Sequence, residues 1–419
     1  MKERIILFLF VFLFEIFTLK SQDFKVNLPH YSMINYNLNE IQIPGDDSSA
    51  INVFFQKWSE LWALGQGRIN VLHIGGSHVQ ADMFSNRIRR NMDKLNRDFQ
   101  PSRGFLFPFN VAKTNNPTNY KVNYEGEWGA VRNVQKNRQI PVGVGGIAVY
   151  TCDPQAEIYI SLNPDEMDCR WNFNFLKLIG YNEDGLDFVK PVLASNDFSY
   201  MEAQYDSIDH YYYFDLPGPA DSFTVKFLQT DTIPHTFILN GFLPEKDEEG
   251  VVYHSIGVNG ASVPSYLESE LFEKELKLIA PDLVIFGIGI NDASGKDFTE
   301  DSFINNYNQL IHTIKRVSPD CAFIFITNND SFTRLARRKY RVNRNGLIAQ
   351  RAFYQLAKQH KGGVWDLFAI MGGLSSMQRW ENAGLAKADK IHFTRDGYLL
   401  IGDLFYNALV DYYIQNDIN

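Results

Sequence analysis

The sequence predicts an α/β fold, a parallel sheet with helices on both faces, interrupted by a separate antiparallel β module. Three observations predict it. Short apolar runs alternate with helix-spaced apolar residues in the first hundred residues and again after residue 250. The runs Ile69 to Ile74 and Leu283 to Ile288 have the length and near-continuous apolar character of strands buried on both faces. Between them, period-two patterns separated by Pro, Asn and Asp replace the helical spacing.

Residues 22–48 are polar and read as an extended N-terminal arm. From Ser49 to Leu64, the positions of Ile51, Phe54, Phe55, Trp58, Leu61 and Trp62 predict a helix that Gly65 and Gly67 end. The first strand then runs to Gly75-Gly76, and residues 79–98 are again helix-like. After the middle region, Leu267, Leu271 and Leu278 share a helical face, and Pro281-Asp282 breaks it ahead of the strand at Leu283. Ile304 to Val317 predicts a helix, Ala322 to Thr327 a third strand, and Gln350 to His360 a further helix. Val364 to Leu367 reads as a short fourth strand. Leu400, Leu404, Ala408 and Tyr412 mark a closing amphipathic helix.

In the middle, Ile158, Ile160 and Leu162 alternate with other residues. So do Trp171, Phe173 and Phe175, and then Phe223, Val225 and Phe227; Tyr211 to Phe214 is strand-like too. A βαβ step needs only about 30 residues, and the stretch from Ser77 to Gly260 exceeds that by a whole domain. Residues 101–250 therefore read as a β-sandwich inserted between 22–100 and 251–419.

Lys2 and Arg4 precede the apolar run Ile5 to Phe14, and Ser21-Gln22 follows it at a distance. The run is shorter than the roughly 20 residues of a membrane span, so residues 1–21 read as a signal peptide and an uncleaved anchor is the alternative. The expected location is secreted or periplasmic, without stable membrane insertion after cleavage. A formal charge of −9 disfavours nucleic acid as a partner. Three cysteines are too few for a disulfide scaffold. Cys321 opens an apolar run and reads as a buried thiol; Cys152 and Cys169 either pair or stay free.

Four short segments carry candidate chemistry. Ser77, in Gly75-Gly76-Ser77-His78, falls between a strand and a helix, where the crevice of a parallel sheet lies. A Ser hydroxyl needs a base, and Asp389-Lys390-Ile391-His392 offers a His with a carboxylate to orient it. Asn291, in Gly289-Ile290-Asn291-Asp292 after a strand, presents an amide donor. Gly260, in Gly257-Val258-Asn259-Gly260, offers a backbone N–H to the same oxyanion. Taken singly, the Gly-Gly-Ser and Asn-Asp segments also read as ordinary turns, and Asp389 and His392 as surface residues. His73 reads as a packed core residue, His78 as a pocket lining, His254 as uncommitted and Asp330 as structural. No His or Cys pair has metal-ligand spacing.

Together the segments resemble the SGNH (GDSL-like) hydrolase superfamily, whose four blocks carry Ser, Gly, Asn and His in this order. The resemblance covers residues 68–100 and 251–419 and implies a three-layer α/β/α domain with a flavodoxin-like sheet. It also implies a serine esterase with Ser77 as nucleophile, His392 as base, Asp389 orienting it, and Ser77, Gly260 and Asn291 forming the oxyanion hole, with no cofactor. One position departs: Gly76 stands where the family usually has Asp. An insertion between the first two blocks is similar to peptidoglycan and polysaccharide O-acetylesterases, whose inserted module is a carbohydrate-binding-like β-sandwich. The expected substrate is then an acetylated cell-wall or extracellular polysaccharide, or a small ester. An O-acyltransferase using the same residues and a non-catalytic glycan-binding protein are the alternatives.

Overall fold

The structure is a computed structural model that describes residues 24–93, 99–164, 170–185, 188–194, 199–336 and 339–416. The segment 1–21 and Cys169, and with it the question of a Cys152–Cys169 pair, lie outside the described residues.

Among the described residues, five parallel strands form the central sheet. In chain order they are Arg68–Gly75, Gly250–Gly257, Leu283–Gly287, Ala322–Ile326 and Gly363–Trp365, and in space they lie 2-1-3-4-5. That is the flavodoxin-like order, whose direction of winding reverses between strands one and three. Alternate side chains leave the sheet on opposite faces. Leu72, Ile74, Val284, Phe286, Phe323 and Phe325 face the helices Glu300–Val317 and Asn345–His360. Val71, Leu283, Ile285 and Ile324 face the helices Ser49–Leu64, Met83–Met92 and Arg395–Gln415. The architecture is therefore three-layered, with an additional β domain.

Several sequence expectations need correction. The strand Gly250–Gly257 was not foreseen; it is the parallel neighbour of Arg68–Gly75 and delivers the loop carrying Gly260. The arm is not merely extended, because Ile41–Gln42 pairs antiparallel with Gly363–Trp365 at the sheet edge. Farther back, the Asn407 side chain accepts from Val26 N–H and donates to its carbonyl, so the arm is tied to the last helix. The expected helix over 79–98 breaks at Asp82, whose φ of 47° is left-handed, giving Ser77–Gln80 and Met83–Met92. Leu267, Leu271 and Leu278 do not share one helix: two short helices, Val263–Leu267 and Phe272–Leu276, stand there, with Leu271 capping the second and Leu278 beyond its end.

The additional domain consists of two antiparallel sheets. One has the order Gln204–Asp206, Tyr211–Ala220, Phe173–Asn182, Phe237–Glu245, Ile147–Thr151 and Gly129–Arg132. The other has Lys121–Glu125, Glu157–Ser161, Ser222–Gln229, Val189–Ala194 and Tyr200–Glu202. Ile158, Ile160, Phe173, Phe223, Val225 and Phe227 point inward. Phe175 does not, because the in-out alternation slips by one residue between Phe173 and Leu176. It stacks on Tyr213 at the outer face. The sandwich core runs without interruption into one face of the parallel sheet, so the two units share apolar packing.

Below their junction is a buried ion cluster. Asp82 meets Arg103 at 2.6 Å and Arg89 at 3.2 Å, and all three side chains are almost wholly enclosed. Burial alone would raise the Asp82 carboxyl, but the two guanidiniums and hydrogen bonds from Ser85 and Asn119 hold it well below the usual carboxylate range.

Candidate active site

Three strand ends meet at the reversal point of the sheet. The first strand ends at Gly75, where an added Cβ would fall 2.1 Å from Val79 Cγ2. The bare glycine lets the chain double back directly into the helix Ser77–Gln80. Ser77 is the first residue of that helix, where a backbone N–H has no intrahelical acceptor.

His392 and Asp389 approach Ser77 from the far end of the chain. The His392 Nδ1–H donates to Asp389 Oδ2 at 2.9 Å, which leaves Nε2 to accept from Ser77 Oγ at 2.8 Å. The other carboxylate oxygen, Oδ1, accepts from the N–H groups of Ile391 and His392, each at 3.0 Å. Partial burial would raise the Asp389 carboxyl. The hydrogen bonds from the His392 side chain and from the two N–H groups outweigh it and hold the group well below its ordinary value. The pair is open to solvent, with side-chain exposures of 31% for His392 and 46% for Asp389.

Two features fix this turn. Lys390 is left-handed, with φ 60°, a conformation that needs external support in a residue with a Cβ. Its ammonium pairs with Glu381 at 2.8 Å, bonds to Gln378 and lies over the rings of Phe332 and Tyr340. Beside it, Asn329 Nδ2 donates to Ile391 O at 3.0 Å.

Asn291 and Gly260 close the opposite side. Asn291 Nδ2 donates to Ala261 O at 2.8 Å and lies 3.4 Å from where a Cβ on Gly76 would stand. Gly260 is exposed with φ 84°, and its N–H donates to no backbone carbonyl among the described residues. Asp292 accepts from Val263 N–H through both oxygens, at 3.2 and 3.3 Å, and joins the third block to the second. Burial pushes its carboxyl up to about 6 against that hydrogen bond.

Gly76, with φ −98° and ψ −139°, lies outside the helical and extended regions. A Cβ there would lie 3.4 Å from both Ala261 O and Asn291 Nδ2 and 3.8 Å from Val258 O.

The remaining sequence candidates separate cleanly. His73 is fully buried, bonded through Nδ1 to Tyr253 OH at 2.8 Å. His254 Nδ1 accepts from Phe105 N–H at 3.1 Å. Asp330 is buried and accepts from Met377 N–H. His78 bonds to Tyr398 OH at 2.8 Å and borders a small cavity with Ile290, Asn328 and Phe393. Burial lowers its imidazole to about 3, so it is neutral. Cys321 is buried and Cys152 exposed. Sequence reasoning overlooked Gln80, Thr114 and Asn115, which bond to one another and to Asn259. Only Gln80 carried a signal, as a polar residue one helical turn after Ser77.

Residues 221–400 match the GDSL-like Lipase/Acylhydrolase family. That stretch includes Gly260, Asn291, Asp389 and His392; Ser77 lies outside it and is joined to it by the bond to His392. No curated protein matches the chain. Among solved structures, a peptidoglycan O-acetylesterase is similar over 90% of this chain and 99% of its own, with TM-score 0.69 and 19% identity. An acetyl xylan esterase aligns over 38% of this chain and 81% of its own, with TM-score 0.31 and 17% identity. A GDSL-like lipase from Bacteroides thetaiotaomicron aligns over 40% and 76%, with TM-score 0.29 and 17% identity. The first likeness extends through both the parallel-sheet unit and the additional β domain, and it establishes the fold. Residues 221–400 thus have the GDSL-like acylhydrolase pattern of a carboxylic ester hydrolase, and the fold of nearly the whole chain resembles that of an O-acetylesterase.

Proposed function

We propose that the protein is a secreted or periplasmic serine esterase that removes O-acetyl groups from a cell-wall or extracellular polysaccharide. One observation carries the mechanism: the continuous hydrogen-bond chain Ser77 Oγ, His392 Nε2, His392 Nδ1, Asp389 Oδ2 at the crevice of the sheet. His392 takes the Ser77 proton as Oγ attacks the ester carbonyl. Asp389 holds the tautomer that leaves Nε2 free and stabilises the imidazolium once it forms. The N–H groups of Ser77 and Gly260 and the Asn291 amide receive the oxyanion. His392 returns its proton to the departing sugar hydroxyl, and water, activated by the same imidazole, cleaves the acetyl-enzyme.

The polymer assignment draws on the additional β domain. Its outer face presents Tyr211, Tyr213 and the Phe175 ring stacked on Tyr213, all half-buried, with Lys177 over Tyr211. Flat rings beside polar groups suit the faces of sugars. A polymer held there has a raised effective concentration at Ser77.

The test is acetate release from acetylated glycans, measured beside hydrolysis of 4-nitrophenyl acetate and of longer-chain esters. Activity confined to short acyl groups, abolished by Ser77→Ala and reduced on polymer alone by Tyr211→Ala/Tyr213→Ala, is the expected result. A preference for octanoyl or longer esters would refute the glycan assignment.

A further inference from the structure

We infer that Gln80 is a positioning residue for the oxyanion-binding loop, braced by Thr114 and Asn115 of the segment that leads into the β domain. The inference rests on the roles proposed above for Ser77 and Gly260.

Gln80 closes the short helix that Ser77 opens, and only 1% of it is exposed. Its Oε1 accepts from the Asn259 backbone N–H at 2.7 Å. Its Nε2 donates to Thr114 Oγ1 at 3.0 Å and to the backbone and side-chain oxygens of Asn115, both at 3.1 Å. The Asn259 side chain repeats the connection, with Nδ2 donating to Asn115 Oδ1 at 2.6 Å and to Thr114 Oγ1 at 3.1 Å. One buried amide thus joins the nucleophile's helix, the loop of the second block and the segment entering the β domain.

The peptide beside Gly260 is therefore held on both sides. On one side Asn259 N–H is fixed by Gln80. On the other, Ala261 N–H donates to Val258 O at 2.9 Å and Ala261 O accepts from Asn291. Helix and loop are already in contact: an added Cβ on Gly257 would fall 2.3 Å from Gln80 N and 2.8 Å from Gly76 O. Gly260 has no side chain of its own to anchor it, so its N–H keeps its place only through these neighbours. An oxyanion donor acts by being in place before charge develops, and a displacement of about 1 Å can cost on the order of 10²-fold. The segment ahead of the β domain is, on this reading, part of the catalytic framework.

The experiment compares wild type, Gln80→Ala, Asn115→Ala and the double variant on 4-nitrophenyl acetate and on an acetylated glycan. Gln80→Ala should lower kcat by about 10–10²-fold with KM within about twofold, equally on both substrates. The exposed Asn115 should fold normally as alanine and give a smaller loss of the same kind. The double variant should lose more than Gln80→Ala but less than the product of the two single losses, because the variants share the Gln80–Asn115 contact while Asn115 also holds Asn259 directly. Wild-type kcat in folded Gln80→Ala and Asn115→Ala, or a loss seen on the polymer alone, would overturn the inference. If Gln80→Ala does not fold, Asn115→Ala decides. Ser77→Ala separates the two levels. Retained activity in it refutes the nucleophile, whereas its inactivity beside an unimpaired Gln80→Ala refutes the positioning role alone.

Discussion

The two sides of Ser77 are built differently. The acid–base side is a solvent-exposed turn of four residues in which Asp389 caps its own backbone and reaches His392 three positions on. The donor side is assembled from segments far apart in the chain: Gln80 and Asn115 meet Asn259 across separations of 179 and 144 residues. The first arrangement is formed by neighbouring residues and held from outside by Glu381 on Lys390 and by Asn329 on Ile391. The second depends on how the β domain and the parallel sheet pack together. The geometry proposed for catalysis thus has a local half and a long-range half.

The comparison is sharpened first at its largest effect. Ser77→Ala and His392→Ala should each lower ester turnover by about 10⁴-fold or more, and the double variant should be hardly worse than either, because the two groups act as a unit. Strictly additive losses measured under single-turnover conditions would remove the pair from the mechanism.

On the donor side, Asn291→Ala should lower kcat by roughly 10²–10³-fold with KM little changed. A rise in KM at constant kcat would make Asn291 a substrate-binding residue instead.

The dependence on packing has a pH signature. Glu275, on the helix Phe272–Leu276, is capped by segments of the β domain through Val144 N–H at 2.8 Å and the Asn240 amide. Burial raises its carboxyl from 4.5 to about 7, although both hydrogen bonds pull the other way. The folded protein therefore binds a proton that the unfolded chain has lost. This contribution to stability is full below about pH 4.5 and declines as pH rises to about 7, by an order of a few kcal/mol. Denaturant melts at pH 5 and pH 8 should show that decline in wild type and a flatter profile in Glu275→Gln. Equal slopes would exonerate Glu275.

The smallest effect tests the local half. Lys390→Gly and Lys390→Ala both lose the Glu381 contact, but only glycine accepts φ 60° freely. Glycine should retain turnover within a few-fold and be the more stable of the two by about 1 kcal/mol. An alanine variant as stable as the glycine one would show that the left-handed turn is not under strain.

Much of this molecule was legible before folding, for identifiable reasons. Sustained apolar periodicity marked the helix Ser49–Leu64 and the strands at Ile69, Leu283 and Ala322, because burial on two faces leaves a continuous signature. The strand Gly250–Gly257 escaped because His254 and Ser255 interrupt its apolar run. Only the fold shows that His254 caps Phe105 N–H and that Ser255 bonds to Asp82. Phe175 continues the period-two pattern of Trp171 and Phe173 in the sequence, but a one-residue slip after Phe173 turns its side chain outward.

The same division holds at the candidate site. The four blocks, their order and the local Asp389–His392 spacing are properties of the sequence, since the caps on Asp389 join residues only two and three positions apart. Tertiary structure alone decided that Ser77 meets His392 across 315 positions. It alone brought Thr114 and Asn115 beneath the Gly260 loop. Contacts of that kind depend on how two packed units close on each other, and no local pattern records them.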